Sequence, residues 1–209
     1  MPDPLQRVLG FAGAVLTLPV LAVLGLAIRL DSRGPVMYPS RRLGEGARPF
    51  RCFKLRTMTW QPDAPGSGLT RAADPRVTRV GRFLRRTRLD ELPQLWHVAA
   101  GRMRLVGPRP EDPAYVDLTD PLHREVFTAK PGLTGLAQLL YVDEAAQLDV
   151  ADSEAHYRRE ILPAKLRLDA AYLRHRSTRL DLWILARTPL AVLGRRPEPP
   201  AGLLREFNP

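Results

Sequence analysis

The segment VLGFAGAVLTLPVLAVLGLAI, residues 8–28, contains no charged residue and decides how the rest of the chain is arranged. As a helix with a rise of about 1.5 Å per residue it would be about 31 Å long, which matches a bilayer core of roughly 30 Å. A cleaved signal peptide has a shorter apolar region, of roughly 7–15 residues, and a small-residue cleavage site. This run is longer and ends in Arg29-Leu30-Asp31, so the sequence predicts a membrane segment that stays in the protein.

Pro19 lies in the middle of this run and predicts a break in the helix, because proline lacks a backbone donor and clashes with the preceding turn. Thr17 is placed to donate a hydrogen bond to a carbonyl that the break frees. Two topologies remain open from the residues alone: a bent helix that crosses the membrane, or a re-entrant one that returns to the same face. The basic flank after the run predicts a cytoplasmic main domain; it consists of Arg29, Arg33, Arg41 and Arg42.

The whole chain has 209 residues and a net charge of +10, which suits one basic domain with a small appendage. Nearly all of the basic charge is arginine, since the only lysines are Lys54, Lys130 and Lys165. This balance predicts a phosphate-bearing partner: a nucleotide, a nucleic acid, a lipid phosphate or an anionic membrane surface. A solvated basic surface without a specific ligand is the alternative. The single cysteine, Cys52, excludes an internal disulfide and a cysteine-built zinc site.

The first part of the main domain is predicted to contain a small β-hairpin. Residues 36–38 and 50–55 have strand character, and the turn-rich residues between them allow the two segments to pair. Residues 59–75 have the composition of a loop that is long for a compact domain.

Helical patterns dominate the remainder of the chain. A basic amphipathic helix is expected from Thr78, and it suits a membrane surface as well as it suits a protein core with a solvated basic side. Residues 90–100 and 113–128 are expected to be helical, and residues 154–175 to form a helix broken near Pro163. Residues 101–113 and 131–138 are expected to be loops. Residues 180–194 are apolar enough to lie at a membrane interface but too short to span it, and the tail 195–209 is Pro-rich.

An adjacent acidic pair, Asp90-Glu91, stands out because arginines surround it in the sequence. A carboxylate among cations is expected to stay ionised, and it can then attack phosphorus or hold a hard divalent metal. Neighbouring residues on a helix point about 100° apart, so the two acids are expected to have different roles. The alternative is a pair of acids that only complements a helix N-terminus. No P-loop occurs, and the four histidines lack metal-ligand spacing.

Arg109 lies between two prolines in Gly107-Pro108-Arg109-Pro110. The prolines restrict the backbone on both sides, which presets the guanidinium for a phosphate. A rigid turn with a surface arginine is the structural alternative.

The chain resembles the bacterial sugar transferases, the monotopic phosphoglycosyl transferases that begin exopolysaccharide, capsule and O-antigen assembly. Five blocks in the family's order carry the resemblance and lie within residues 8–193. They are GPVMYPSRRLGEGARPFRCFKLRTM (34–58), DPRVTRVGRFLRRTRLDELPQLWHV (74–98), MRLVGPRPE (103–111), KPGLTGLAQ (130–138) and KLRLDAAYLRHRSTRLDLWILART (165–188). The sequence departs from the family at some positions, with Ser40 where glutamine is common and His97 where asparagine is common.

The resemblance implies transfer of a phosphosugar from a UDP-sugar to undecaprenyl phosphate, with release of UMP. It implies that Asp90 is the nucleophile that carries the phosphosugar, and that Glu91 positions Mg²⁺. The matching phosphate-binding residues are Lys54, Arg56, Arg85 and Arg109. Asp169 and Tyr172 would order the site from behind it. The family also has a re-entrant helix broken near a proline, here Pro19.

The expected protein is therefore an α+β, mainly helical, monotopic membrane protein of the plasma membrane. Its predicted parts are a re-entrant helix at 1–30, a cytoplasmic catalytic domain at 31–194 and a tail at 195–209. Its expected partners are a UDP-sugar, undecaprenyl phosphate and membrane lipids, and the oligomeric state, including a homo-oligomer, is open. A non-catalytic scaffold for glycan assembly is one alternative. A membrane-anchored nucleic-acid binder is the other, and it is disfavoured because the aromatic residues do not interleave with the arginines.

Overall fold

The computed structural model describes residues 1–61, 69–71, 73–141, 144–195 and 197–198. This part of the chain is mainly helical with two small sheets, which confirms the predicted α+β class. The helices are α1 (Asp3–Leu16), α2 (Leu18–Asp31), α3 (Arg79–Thr87), α4 (Leu95–Ala99), α5 (Pro121–Val126), α6 (Leu136–Leu140), α7 (Glu144–Gln147), α8 (Ser153–His156), α9 (Leu162–Arg174) and α10 (Thr178–Val192). The strands are β1 (Met37–Leu43), β2 (Pro49–Leu55), β3 (Arg104–Val106) and β4 (Gly132–Thr134).

The apolar N-terminal run forms two helices, α1 and α2, which meet at Thr17 with a bend of 53°. Pro19 lies in the first turn of α2, where its missing N–H costs least, and the Thr17 hydroxyl donates to the Gly13 carbonyl at 2.9 Å. The predicted break is therefore present. No single helix among the described residues is long and apolar enough to cross a bilayer, whereas α1 and α2 together are. Large apolar side chains remain exposed along both helices.

Two antiparallel strands form the predicted hairpin: β1 pairs with β2 from Met37 opposite Leu55 to Leu43 opposite Pro49. The hairpin is longer than expected at β1. The second sheet was not predicted, because its strands β3 and β4 have three residues each and pair in parallel across a long separation. Part of the predicted loop 131–138 is therefore a strand, followed at once by the short helix α6.

Three other helix predictions need correction. Residues 113–128 form only a 3-10 turn (Pro113–Tyr115) and α5, because Asp112 and Asp120 each cap a separate short turn that begins with proline. Pro163 does not break a helix; it occupies the first turn of α9, directly after a π-helical turn at Tyr157–Ile161. The expected helix at 90–100 begins only at α4. The predictions for 59–75 and for the tail fall partly outside the described residues.

Three apolar clusters hold the domain together and fix the elements around the acidic pair. The largest joins α4, β3, α6, α9 and α10, with Ala14 of α1 packed into it. A second cluster lies between α5 and α9 around Tyr157. The third connects Ile28 of α2, Leu55 of β2 and Leu84 of α3, so the end of the apolar run is anchored beside the start of the acidic segment.

Candidate active site

Asp90 and Glu91 lie on a 3-10 turn, Leu89–Gln94, rather than at the start of an α-helix. Arg88 ends α3 in a left-handed backbone conformation with φ of 57°, and it redirects the chain into this turn. A non-glycine residue in this conformation costs about 1–2 kcal/mol, so the surrounding contacts must hold it. Both acidic side chains are largely buried as a result, with 8% and 9% of their surfaces exposed.

Glu91 is paired with two cations from different parts of the chain. Its Oε1 lies 2.6 Å from Lys54 Nζ, on β2, and 3.6 Å from Arg109 Nη2, after β3. Burial alone would raise the pKa of this carboxyl, but Lys54 and Arg109 outweigh it and hold the pKa well below its usual range. Glu91 is therefore an ionised carboxylate at neutral pH.

Asp90 has the opposite electrostatic character. Its Oδ1 is buried and has no hydrogen-bond partner among the described residues. Burial and the neighbouring Glu91 charge raise the pKa of Asp90, although Lys54, Arg88 and Arg85 oppose that rise. The expectation that the cations keep the carboxylate ionised thus fits Glu91 better than Asp90. Two adjacent acids whose pKa values move in opposite directions are suited to two different roles.

The parallel pairing of β3 with β4 fixes the position of Arg109. Gly132 N donates to the Pro108 carbonyl at 2.7 Å, and Gly107 N donates to the Thr134 carbonyl at 3.0 Å. A side chain at Gly107 would lie 2.9 Å from the Lys130 carbonyl, so the backbones approach closely here. The turn that follows directs the Arg109 side chain to Glu91. Burial alone would lower the pKa of this guanidinium, but the Glu91 carboxylate outweighs burial and raises it.

Arg85 is near the acidic pair, but Arg56 is not. Arg85 Nε donates to Thr57 Oγ1 at 2.8 Å; burial lowers the pKa of this guanidinium, and Asp90 counteracts that effect. Arg56 is 3% exposed, and its nitrogens donate to the Ser32 side chain and to four backbone carbonyls around the end of α2. The structure therefore assigns the donors of Arg56 to holding α2 against the end of β2, and it does not bring them to the cleft.

Asp169 and Tyr172 both lie on α9 but contact different elements. Asp169 Oδ2 accepts a hydrogen bond from Arg109 N at 3.2 Å. Asp169 thus lies behind the loop that carries Arg109. The Tyr172 hydroxyl lies 2.6 Å from Asp181 Oδ1 and 3.2 Å from the Val106 carbonyl, on the far side of β3.

Several residues of the site were not predicted. Arg42 of β1 lines the cleft with Lys54 and Glu91, and Arg88 lines a neighbouring cleft with Arg109. Lys165 is 4% exposed and donates to Glu144 Oε2 at 2.9 Å and to the Tyr157 hydroxyl at 3.1 Å. A lysine on a helix face that also carries Leu162, Leu168 and Asp169, in a chain with three lysines, was a signal that could have identified Lys165.

The described residues hold no cluster of three or more His, Cys, Asp or Glu that could bind a metal by itself. A magnesium ion needs fewer protein ligands when phosphate oxygens and water complete its shell, and one or two carboxylates then suffice. The unpartnered Oδ1 of Asp90 beside the ionised Glu91 fits that requirement.

Two buried carboxylates of opposite character, surrounded by lysine and arginine at a cleft, are typical of a site for a phosphate-bearing substrate. The family model described as bacterial sugar transferase matches residues 3–195. The chain therefore belongs to the bacterial sugar transferase family, as the five sequence blocks predicted.

Individual relatives support this assignment. The chain is 38% identical over 198 residues to a UDP-glucose:undecaprenyl-phosphate glucose-1-phosphate transferase from Caulobacter vibrioides, covering 91% of this chain and 70% of that protein. It is 34% identical over 204 residues to a UDP-N-acetylgalactosamine-undecaprenyl-phosphate N-acetylgalactosaminephosphotransferase from Aeromonas hydrophila, covering 92% of this chain and 45% of that protein. It is 40% identical over 174 residues to an undecaprenyl-phosphate glucose phosphotransferase from Komagataeibacter xylinus, covering 80% of this chain and 31% of that protein.

Proposed function

We propose that this protein transfers a phosphosugar from a UDP-sugar to undecaprenyl phosphate and releases UMP. The observation that carries the proposal is the acidic pair: Glu91 is held ionised by Lys54 and Arg109, while Asp90 beside it keeps a buried oxygen without a partner. The relatives named above act on UDP-sugars or on undecaprenyl phosphate, and their matching region includes this pair. Such transfer is the first membrane step in building an exopolysaccharide or a related glycan.

The proposed reaction has two steps on Asp90. A carboxylate oxygen of Asp90 forms a bond to the β-phosphorus of the UDP-sugar, and the bond from that phosphorus to the bridging oxygen breaks, so UMP leaves with the electron pair. A phosphate oxygen of undecaprenyl phosphate then attacks the same phosphorus. The Asp90–phosphorus bond breaks, the carboxylate is regenerated, and the lipid carries a diphosphate-linked sugar.

The surrounding cations neutralise the charge of the diphosphate during both steps. Lys54 and Arg109 already converge on one carboxylate oxygen of Glu91, so an incoming phosphate can share these donors without moving either backbone. Glu91, together with Asp90, would hold Mg²⁺, which supplies further charge neutralisation at the diphosphate and at the departing UMP. Arg85 contributes positive charge next to Asp90.

The contacts of the apolar helices support a re-entrant topology. At the start of α1, the Arg104 guanidinium pairs with Asp3, and Leu105 N donates to Gln6 Oε1 at 2.9 Å. At the end of α2, Val80 N donates to Asp31 Oδ2 at 3.0 Å. Both ends of the bent pair therefore contact the same domain. We infer that the pair dips into the bilayer around Thr17 and returns, with the domain on the cytoplasmic face that its basic flank predicts.

A UMP-release assay tests the reaction. The purified protein in lipid nanodiscs, with Mg²⁺ and undecaprenyl phosphate, is expected to release UMP from at least one UDP-sugar and to release none without the lipid phosphate. Asp90→Asn is expected to lose turnover and the phosphosugar adduct seen by intact-protein mass spectrometry. Asp149→Asn, an exposed control, is expected to retain both. Normal turnover in Asp90→Asn would exclude Asp90 as the nucleophile. An absence of turnover in the wild type would favour a non-catalytic scaffold.

Cysteine labelling tests the topology, because the native Cys52 is buried and gives little background. Leu5→Cys on α1 and Leu193→Cys after α10 are both at exposed positions, 47% and 77%. A membrane-impermeant maleimide added from the cytoplasmic side of inverted vesicles is expected to label both. Labelling of Leu5→Cys only from the periplasmic side would contradict the re-entrant arrangement.

A further inference from the structure

Arg109 lines two neighbouring clefts. The first contains Lys54 and Glu91 and accounts for the diphosphate in the proposed function. The charged lining of the second consists of three cations and one acid: Arg88, Arg109, Lys165 and Glu144. Because Arg109 belongs to both clefts, an anion in the second cleft lies next to a phosphate that Arg109 holds in the first.

The Glu144 carboxylate is the anion that the second cleft contains in this structure. Its Oε2 accepts a hydrogen bond from Lys165 Nζ at 2.9 Å. Burial alone would raise the pKa of the Glu144 carboxyl, but the three cations outweigh burial and hold the pKa below its usual range. The carboxylate is therefore ionised, and it lies where the positive charges of the cleft converge.

The cations are held in place by contacts that do not involve Glu144. Lys165 is 4% exposed on α9, donates to the Tyr157 hydroxyl at 3.1 Å and lies 3.8 Å from Glu111 Oε2. The pairing of β3 with β4 fixes the backbone next to Arg109. The positive lining of the second cleft is thus preorganised, and it does not depend on the acid that it surrounds.

The Glu144 side chain can leave the cleft without a change in the backbone of α7. It is 26% exposed, so it has access to solvent on one side. Leu148, just after α7, is 1% exposed in the second apolar cluster, and its N–H donates to the Glu144 carbonyl at 3.1 Å. Rotation of the side chain toward solvent would therefore break its ion pair with Lys165 and leave this anchor intact.

A further donor in the second cleft lacks an acceptor. Gln138 Nε2 is buried and has no hydrogen-bond partner among the described residues. A buried donor without a partner costs free energy, so native structures rarely leave one without a reason. A phosphate group has more oxygens than a carboxylate and accepts hydrogen bonds from several donors at once, including guanidinium groups.

We propose that the second cleft is a binding site for a phosphate group, and that the Glu144 carboxylate takes the place of this phosphate in the ligand-free protein. The cleft is narrow, so a phosphate enters only when the Glu144 side chain moves aside. Glu144 therefore weakens phosphate binding and keeps the three cations from other anions. A purely structural ion pair between Glu144 and Lys165 is the competing explanation.

The source of the phosphate rests on the proposed function, which offers two. The phosphate of UMP leaves from the β-phosphorus, and the phosphate of undecaprenyl phosphate later attacks the same phosphorus. Both are adjacent to the phosphosugar during reaction, as a group that shares Arg109 with the first cleft would be.

Calorimetric titration with inorganic phosphate and with UMP tests the site. The proteins are the wild type, Glu144→Gln, which removes the charge at similar volume, and Glu144→Asp, which keeps the charge but withdraws it from Lys165. Glu154→Gln is the control, because it removes the same charge from an exposed pair with Arg158 at 3.0 Å. Sodium chloride at matched ionic strength corrects for general salt effects. Each titration is repeated with Lys54→Ala added, which weakens the first cleft.

Glu144→Gln is expected to bind inorganic phosphate about tenfold more tightly than the wild type, which corresponds to about 1.4 kcal/mol. The reason is that the cations remain and no carboxylate has to be displaced. Glu144→Asp should show a smaller gain, and Glu154→Gln should show none. The Tm of Glu144→Gln should be lower than that of the wild type without phosphate and should rise more when phosphate is added.

Two results would overturn the inference. A lower Tm with unchanged phosphate affinity in both Glu144 variants would show a purely structural ion pair. A gain in affinity that disappears when Lys54→Ala is added would place the phosphate in the first cleft alone.

The KM values of Glu144→Gln distinguish the two sources of the phosphate. A lower KM for undecaprenyl phosphate would assign the site to the lipid, tighter binding of UMP would assign it to the nucleotide, and both changes together would show that the two phosphates use the site in turn. Tighter phosphate binding in a protein that releases no UMP from any UDP-sugar would overturn the proposed function and keep the site. Unchanged affinities for inorganic phosphate, UMP and the lipid in an active enzyme would do the reverse.

Discussion

The Asp169 carboxylate accepts a hydrogen bond from the backbone N–H of Arg109 at 3.2 Å, between residues 60 positions apart in the chain. The other oxygen of this carboxylate, Oδ1, is buried without a partner among the described residues. One side chain of α9 thus holds the loop that carries Arg109, and Arg109 lines both clefts.

Asp169→Asn is expected to stabilise the protein at high pH and to retain most activity. Burial raises the pKa of Asp169 to about 7, from an ordinary value of 3.8. The native state therefore keeps a proton that the unfolded chain has lost between those two pH values. This contribution to stability falls as pH rises through that window, by on the order of 4 kcal/mol. An asparagine carbonyl still accepts from the Arg109 N–H but carries no buried charge.

Thermal melts of the nanodisc-embedded proteins at pH 5, 6.5 and 8 measure this effect. The Tm of Asp169→Asn relative to the wild type is expected to increase with pH, and Asp149→Asn at an exposed position should run parallel to the wild type. Asp169→Ala, which removes the acceptor, should lose activity through Arg109. Parallel pH curves for wild type and Asp169→Asn would show that Asp169 does not carry the buried proton.

Arg56→Ala is expected to act on stability and not on phosphate binding. The Arg56 guanidinium donates to Ser32 and to backbone carbonyls that include Ile28 and Pro35. The alanine variant removes these charge-assisted hydrogen bonds and leaves the buried acceptors without their donor. Loss of such a network costs about 3–5 kcal/mol, so Tm should fall by many degrees.

The exposed Arg51 of β2 provides the control, since Arg51→Ala should leave Tm unchanged. The KM for the UDP-sugar of any folded Arg56→Ala should stay close to the wild type, and Lys54→Ala should raise it. A selective rise in KM for Arg56→Ala at normal Tm would return Arg56 to the phosphate site that its sequence match implied.

The contrast between Lys54 and Arg56 illustrates what the sequence could predict. The resemblance to the family implied that both hold phosphate, and both lie in the strand-like segment before the acidic pair. Residues two apart on a continuing strand would share a face. The strand ends at Leu55, so side chains no longer alternate between the two faces of the hairpin beyond it. Arg56 points toward the end of α2 instead. The break near Pro19, the hairpin and the basic helix α3 follow from local patterns and were predicted correctly.

The pairing of β3 with β4 shows where local patterns fail. Arg104 faces Gly132 and Val106 faces Thr134, in strands too short to show any periodicity. The left-handed Arg88 is a similar case, because tertiary contacts rather than a glycine hold that conformation. Consequently Gln138 and Arg88 could not be assigned to a cleft before the fold was known.

Gly81→Ala is expected to disrupt the junction between α3 and the end of β2. An added Cβ would lie 1.9 Å from the Thr57 carbonyl oxygen, a backbone atom that cannot turn away. Relief requires α3 to shift, which would also separate Arg85 from Thr57 Oγ1. A loss of about 1–3 kcal/mol and reduced turnover are expected. Gly13→Ala is the matched control, because its Cβ would meet only Leu95 methyl groups at 3.5 Å. Equal Tm values for the two variants would contradict the close approach at Gly81.

His97 is expected to make the activity sensitive to low pH. Its Nε2 accepts a hydrogen bond from Phe53 N at 3.2 Å, next to Lys54, and its ring stacks on Phe53 at 5.4 Å between centroids. Burial, reinforced by Arg102, holds the pKa of His97 below its usual 6.5. The neutral ring is therefore required, and the stability it contributes is present above pH 6.5 and lost as pH falls through the native pKa. Protonation would set an N–H against the Phe53 N–H and loosen the strand that presents Lys54.

The pH profile of kcat/KM between pH 5 and 8 measures this contribution, with UMP release as the readout. In His97→Gln, the side-chain carbonyl can replace Nε2 as the acceptor, and it does not titrate. This variant should keep its activity at pH 7.5 and should lose less activity at low pH than the wild type, because the loss due to protonation of His97 is removed. His97→Leu leaves the Phe53 N–H unpaired, which costs about 1–3 kcal/mol, and should lower Tm at every pH. A purely structural residue would change Tm without changing the shape of the pH profile. The difference between His97→Gln and His97→Leu in these two measurements therefore isolates the effect of protonating His97. Superimposable profiles for the wild type and His97→Gln would exclude His97 as the group that positions Lys54 in a pH-dependent way.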